Sequence, residues 1–295
     1  LRFSELGGVY RNERSGVLHG ILRARGFTQD DSHTFCRPDQ IDAELALHLE
    51  FVLTWLQDFG FTEFEADLST RPEKSVGDPD MWAVAERALQ RSLEDAAVPF
   101  RIAAGEGAFY GPKIDVHVKD AIGRRWQVST IQFDFNMPAR FELEYATPDN
   151  QSSEPIMIHC AKAGSIERFA GVLTEHYAGA FPMWLAPVQV TLIPVADRHD
   201  AYASTVAEAL RSAGLRVEVD RSDETVGNKI RRTLSAKHPA LCVIGDQDVE
   251  GGTVGLRRYG EEHERRGVPL SEAVEELAKA AQIPDSSAPR RAPSV

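Results

Sequence analysis

The sequence predicts an α+β protein of two domains, an antiparallel sheet flanked by helices followed by a small α/β domain. Three observations lead there. The first 160 residues or so are rich in strand-like runs with few helical crossovers between them. The stretch Phe181 to Pro187 holds two prolines and reads as a linker. From Val188 onward, strands and helices alternate. The boundaries drawn on this basis are 1–184, 185–282 and a tail, 283–295, whose Pro, Ser and Arg content predicts disorder.

Residues 1 to 36 read as a long hairpin: an apolar-led run through Val9 and Tyr10, a turn at Ser15-Gly16, then a strand from Leu22 to Cys36. Ile41, Leu45, Leu49, Val52 and Leu56 recur every three to four residues and predict an amphipathic helix from Asp39 that stops at Gly60. A strand from Phe61 to Ser69 follows. Asp78-Pro79 supplies an N-cap and a first-turn proline for a second helix reaching about Ala96. Glycines around Phe109-Tyr110 lead into a strand from Ile114 to Val118. Arg125 to Thr130 and Ile131 to Met137 read as two strands or one bent run, and Ile156 to Ala161 as a buried strand. Gly164-Ser165 opens a helix with the apolar face Ile166, Phe169, Leu173 and Tyr177. The second domain reads as strands 188–195, 215–220, 240–244 and 253–258, with helices 200–213, 225–237 and one from Leu270.

Composition narrows the function. No run of about 18 apolar residues occurs, so no membrane span or membrane partner is expected, and no basic-then-apolar signal opens the chain. A cytoplasmic protein is the expectation. Residue 1 is Leu and opens directly onto a strand-like run, which reads as the loss of an N-terminal part. Cys36, Cys160 and Cys242 have no paired spacing and read as free thiols. A formal charge of -12 favours a small-molecule enzyme over a nucleic-acid binder, although clustered basic residues such as Lys229, Arg231 and Arg232 leave room for a segregated patch. No Walker motif, no Gly-x-Gly-x-x-Gly and no Ser-His-Asp ordering is present.

Four constellations could carry chemistry. The two-residue strand period puts Arg11 and Glu13 on one face, a cross-strand ion pair or a catalytic pair. The same period aligns Gln29, Asp31 and His33, either as a solvated polar edge or as a site. His33 and His159 are candidate metal ligands, with a hydrogen-bonded core histidine as the plainer reading of each; Cys36 and Cys160 point to the opposite faces by strand parity. Arg168 sits in the first turn of a helix, where the dipole and free N–H groups already favour an anion such as phosphate.

Tyr10-Arg11-Asn12-Glu13, Ser15-Gly16 and Gly26-Phe27-Thr28-Gln29-Asp30-Asp31 resemble motif 2 of threonyl-tRNA synthetases, and His159 to Arg168 resembles motif 3. Gly105 to Lys113 is family-like, and Val188 onward is similar to the class IIa anticodon-binding domain. The resemblance implies a class II synthetase core with its first part missing, an anticodon-binding domain behind it, and an ATP-dependent threonine-tRNA ligase, the alternative being a synthetase-derived binding or regulatory protein that keeps the tRNA or nucleotide sites without catalysis. It implies Arg11, Lys113 and Arg168 as catalytic residues and Glu13, Arg23, Phe27 and Gln127 as ATP contacts. In that scheme Arg11 holds the α-phosphate, Phe27 stacks on adenine and Arg168 reaches the γ-phosphate. Gln29, Asp31, Tyr110 and Gln132 would bind L-threonine, His33 and His159 would hold Zn2+ with a cysteine from upstream, and Mg2+ would accompany ATP. Asp248 and Arg257 would read the anticodon of tRNA(Thr), and the full protein would be a homodimer. Two departures stand beside these residues: Val128-Ser129 where the family usually has Cys-Gly, and Cys160 where it usually has Arg.

Overall fold

The computed structural model describes residues 1–120 and 122–284; the expected tail from residue 285 lies outside the described residues. The chain forms two compact units, Leu1–Glu175 and His176–Pro284.

The first unit is built on a seven-stranded sheet. Its strands are β1 (Arg2–Tyr10), β2 (Gly26–Cys36), β3 (Phe64–Ser69), β4 (Phe100–Ala103), β5 (Lys113–Lys119), β6 (Arg125–Asp134) and, after the two-residue pair β7 (Tyr145–Ala146) and β8 (Ser152–Ser153), β9 (Ile156–Ser165). The order across the sheet is β1-β2-β9-β6-β5-β3-β4, antiparallel except for the β3/β4 edge. Helices α1 (Ile41–Asp58) and α2 (Pro79–Asp95) lie between β2 and β4 in sequence, α3 (Met137–Arg140) follows β6, and α4 (Ile166–His176) follows β9 directly.

The helix periodicity is realised. Ile41, Leu45, Leu49, Val52 and Leu56 of α1 are all buried, and with Leu89 and Leu93 of α2 they cover one sheet face at Ile114, Val116, Ile131, Phe133 and Ile158. Each such aliphatic contributes about 1.5–3 kcal/mol relative to exposure. Asp78 caps α2 by accepting from Asp80 N at 2.8 Å, with Pro79 in the first turn.

Several expected bounds shift. β2 begins at Gly26 rather than Leu22, because Ser15–Val17 and Gly20–Leu22 are short 3-10 turns in a long connection. Arg125 to Asp134 is one strand, and Met137 belongs to α3. β3 begins at Phe64, not Phe61, and β4 was not anticipated, a four-residue edge with Arg101 in its middle.

The second unit is a five-stranded sheet. Its strands are β10 (Val190–Pro194), β11 (Val217–Val219), β12 (Ala240–Ile244), β13 (Thr253–Arg258) and β14 (Arg265–Pro269), in the order β11-β10-β12-β13-β14. β10 runs parallel to β11 and β12, and the other pairs are antiparallel. Helices α5 (Asp200–Ser212), α6 (Val226–Ser235), α7 (Asp246–Gly251) and α8 (Leu270–Ala280) complete it. Both α7 and β14 are additions to the expected order. The core joins Leu192, Val206, Leu210, Ile244, Leu256 and Leu277.

Candidate active site

A cleft of about 510 Å³ opens on the sheet face away from α1 and α2. Arg11, Glu13, Arg23, Phe27, Gln29, Asp31, Tyr110, Lys113, Gln127, Gln132, His159 and Arg168 all line it. These are twelve of the thirteen residues singled out for the catalytic core, and the thirteenth, His33, stands beside Asp31 and His159.

Strand pairing accounts for part of this convergence. His33 lies opposite His159 and Asp31 opposite Ala161 across β2/β9, while Gln132 lies opposite both His159 and Lys113 across its two neighbours. Two irregularities supply the rest. Val116 faces Ser129 but His117 faces Gln127, so β6 carries one extra residue at Val128. That bulge inverts parity, which is how Gln127 and Gln132 share one face despite an odd separation. On β9, Asp31 faces Ala161 but Gln29 faces Ser165, leaving two extra residues between them. The Asp30 carboxylate accepts from Lys162 N at 3.0 Å and Ala163 N at 2.9 Å within this second bulge, while Ser129 Oγ donates to Lys162 O. Burial holds the Asp30 carboxyl above its ordinary range despite those two N–H groups.

Arg11, Arg23 and Arg168 make one region of the cleft strongly cationic. Burial, and then the charges of Arg23 and Arg11, depress the Arg168 guanidinium below its ordinary pKa. Its Nε donates to Leu22 O at 2.8 Å and a terminal nitrogen to Gln127 O at 3.1 Å, so it is aimed before any ligand arrives. Arg23 pairs with Glu13 at 3.1 Å. Arg11 and Glu13 follow β1 rather than lie within it; Arg11 N still bonds Arg25 O at 2.8 Å, which carries the pairing one residue further. The Arg11 guanidinium sits over the half-buried Phe27 ring at 5.1 Å, a cation–π contact at the cleft wall.

Asp31, His33 and His159 form the other notable group. Their ligand atoms lie within 4.8 Å of one another and the imidazole rings are 4.7 Å apart. His159 Nε2 is 2.9 Å from Asp134 Oδ2, so Nδ1 is the nitrogen left for a metal. Asp134 opposes the cost of its own burial with the His159 bond and two backbone N–H bonds, from Asn136 and Met137, and its carboxyl is held below the usual range. Two imidazoles and a carboxylate, one imidazole backed by a second carboxylate, suit Zn2+ chemistry. Tyr110 donates to Gln132 Oε1 at 3.2 Å, while the buried Gln132 Nε2 has no hydrogen-bond partner among the described residues. A buried donor left unpaired costs about 1–3 kcal/mol, which a ligand oxygen would recover.

Sequence reasoning missed the acids that organise this surface. Asp30, Asp115, Asp134 and Glu167 each bind residues distant in sequence: Glu167, for one, accepts from Thr28 N at 2.8 and 3.0 Å and joins α4 to β2. Asp120 accepts from Trp126 Nε1 at 2.9 Å and from Arg124, holding its carboxyl at about 2 against the cost of its burial. All three residues of the two departures are buried; Val128 is among the residues that line the cleft, whereas Ser129 and Cys160 are not. Burial pushes the Cys160 thiol up to about 12. All three cysteines are free and buried.

In the second unit Asp248 caps α7, accepting from Gly245 N at 3.0 Å and Thr253 Oγ1 at 2.8 Å, so both its oxygens are engaged within the chain. Arg257 Nε donates to Glu261 O at 3.0 Å.

An antiparallel sheet with a cationic cleft, followed by a five-stranded α/β unit, is the arrangement of a class II aminoacyl-tRNA synthetase. The profile of the tRNA synthetase class II core domain (G, H, P, S and T) matches residues 1–177, and that of the anticodon binding domain matches residues 189–280. The threonine--tRNA ligase of Sulfurihydrogenibium sp. (strain YO3AOP1) is 54% identical over 262 residues, covering 89% of this chain and 41% of that protein. That of Aquifex aeolicus (strain VF5) is 53% identical over 257 residues, 87% of this chain and 40% of that protein. The crystal structure of the RNA binding domain of threonyl-tRNA synthetase from Cryptosporidium parvum Iowa II superposes with a TM-score of 0.91 at 35% identity, covering 97% of this chain and 72% of that one. The putative threonyl-tRNA synthetase ThrRS-1 from Aeropyrum pernix gives a TM-score of 0.77 at 30% identity, covering 96% and 70%. The chain belongs to the threonyl-tRNA synthetase family, and it spans about two fifths of the length of the curated relatives it matches.

Proposed function

We propose that the protein containing this chain is a threonine-tRNA ligase, which activates L-threonine with Mg·ATP and transfers it to the 3' end of tRNA(Thr). The observation that carries this reading is one cleft lined by three arginines, an aromatic ring and the Asp31–His159 end of a zinc-competent group. In the first step a threonine carboxylate oxygen attacks the α-phosphorus, the bond to the bridging oxygen breaks, and pyrophosphate leaves. Arg11 would stabilise the charge growing on the α-phosphate, and Arg168, already held by two carbonyls, would take the γ-phosphate. Phe27 would stack on adenine, with Glu13, Arg23 and Gln127 completing the nucleotide contacts. Lys113 would neutralise charge near the reacting phosphate. In the second step a hydroxyl of the terminal ribose attacks the carbonyl carbon and AMP leaves.

Gln29, Asp31, Tyr110 and Gln132 would hold threonine, with the unpaired Gln132 amide offering it a donor. Zn2+ on His33 and His159 would supply a Lewis-acidic partner for the amino and hydroxyl groups of threonine. A polar site built for a hydroxyl rejects valine by far more than the roughly 1 to 3 kcal/mol available from one methylene. We further propose that residues 185–282 form the anticodon-binding domain, with Asp248 and Arg257 as contacts, that the full protein is a homodimer, and that it acts in the cytoplasm. No helix among the described residues is long and apolar enough to cross a membrane.

Threonine-dependent ATP–pyrophosphate exchange in the full-length protein with Zn2+ present tests the assignment. Exchange with threonine well above that with valine is expected. A folded, zinc-loaded protein that shows no exchange with threonine overturns it.

A further inference from the structure

We propose that Asp115 is a positioning residue of the activation reaction, acting through Lys113 and Gln127; this rests on the ligase reading of the cleft. Asp115 lies on β5, is only 6% exposed, and is not among the residues lining the cleft. Three residues that do line it converge on its carboxylate. Lys113 Nζ reaches Oδ2, while Gln127 Nε2 at 2.6 Å and Thr130 Oγ1 at 2.9 Å reach Oδ1. Gln127 Nε2 also donates to Thr130 Oγ1 at 2.8 Å.

Donor arithmetic gives this hub its consequence. An ionised carboxylate only accepts, so the orientation of the Gln127 amide is forced: nitrogen toward Asp115 and Thr130. Both amide hydrogens are then used, and Oε1 is what Gln127 has left to offer a ligand. It will recognise a hydroxyl or ammonium donor, not a phosphate oxygen. Lys113 is likewise tethered two residues from Asp115 on the same strand face, which fixes its long side chain in one place and removes part of the rotamer entropy that docking a substrate would otherwise cost. Asp115 thus fixes a cation at one cleft position and an acceptor at another.

Asp115→Asn is the informative change, because it keeps shape and replaces one acceptor oxygen by a donor. Three donors then face one acceptor, and at least one is released. The test is a double-mutant cycle in the full-length protein with Asp115→Asn, Lys113→Met and the pair, read by kcat and KM of threonine-dependent exchange, with unfolding midpoints alongside. Asp115→Asn is expected to lower kcat by about 10- to 100-fold, the scale of a lost hydrogen bond to a charged group. In the Lys113→Met background the same change is expected to cost about 2- to 10-fold, less than in the parent, since only the route through Gln127 remains. Losses that multiply, or a single variant within twofold of the parent, overturn the proposal. If the parent shows no exchange, the ligase reading is what fails. The same four proteins are then compared by Mg·ATP affinity, where independent losses would overturn the role of Asp115 on its own.

Discussion

Gly164 sits where β9 gives way to α4, and replacing it with alanine tests how the cleft is built. Its φ of +67° lies in the left-handed region, and an added Cβ would meet Val128 O, closer than real Cβ atoms come to any neighbour. Val128 is the bulged residue of β6, whose preceding carbonyl, Gln127 O, accepts from Arg168 at 3.1 Å. The contact therefore cannot relax without moving the support of a guanidinium. A non-glycine residue in this conformation costs about 1–2 kcal/mol. Overpacking against backbone adds about 1–3 kcal/mol. The sum, about 2–5 kcal/mol, corresponds to a fall in Tm of about 4 °C or more for a unit of this size. Gly164→Ala should show that loss in thermal and urea unfolding, together with a raised KM for ATP in pyrophosphate exchange. Gly16→Ala is the control: an added Cβ there meets nothing within 4 Å, and the change should be neutral or slightly stabilising. A Gly164→Ala protein that melts within a degree of the parent and keeps its KM for ATP would refute this account of how Arg168 is aimed.

Three other outcomes are expected. Burial, with the Lys162 charge adding to it, lowers the His48 imidazole to about 4, against roughly 6.5 in an unfolded chain. The unfolded state therefore takes up a proton that the folded state refuses, so stability is full above about pH 6.5 and falls by up to roughly 3 kcal/mol as pH drops towards 4. Urea unfolding at pH 7 and pH 5 reads the slope, and His48→Gln should flatten it; an unchanged slope would remove His48 as its source. Asp134→Asn should weaken Zn2+ binding by about 10- to 100-fold in competition with a chromophoric chelator, because it loosens the His159 ring; unaltered affinity would mean that His159 is not a ligand. Phe27→Ala should raise the KM for ATP by about 5- to 150-fold, the range for one lost base stack of 1–3 kcal/mol, and a change below twofold would place adenine elsewhere.

Much of the fold was legible because it is local. The apolar repeat of α1 and the Asp78-Pro79 start of α2 are short-range signals, and both elements formed as read. Short or polar elements were not legible. α7 begins with Asp246-Gln247-Asp248, which reads as loop, and its stability comes from a cap at Gly245 and the Thr253 contact. β14 carries Arg265 and Arg266 at an edge, where apolar alternation is not required. In the cleft, strand parity singled out Gln29, Asp31 and His33 and paired Arg11 with Glu13, residue chemistry singled out His159 and Arg168, and a motif resemblance supplied Arg23, Phe27, Tyr110, Lys113, Gln127 and Gln132. The organising acids stayed hidden for a physical reason: Glu167 binds Thr28 139 residues away and Asp30 binds Ala163 133 residues away, and such pairs leave no periodic trace.

The two bulges also explain why the departures from the family pattern do not by themselves argue against catalysis. On a regular strand Cys160, next to His159, must face away from it, and the structure buries its thiol on the helix-covered side with Ser32, whose hydroxyl donates to Cys160 O at 2.7 Å. Ser129 follows the bulged Val128 and so also turns from the cleft, where its hydroxyl binds Lys162 O in the second bulge. Lys162 Nζ in turn reaches Ser32 Oγ at 2.7 Å and places a cation two residues from Cys160. Ser129, Lys162 and Ser32 therefore form one hydrogen-bonded patch behind the cleft floor, tying together β6, β9 and β2, the three strands that carry Gln132, His159 and His33. Ser129 and Cys160 sit in the support of the cleft, and of the three residues only Val128 is among those that line it.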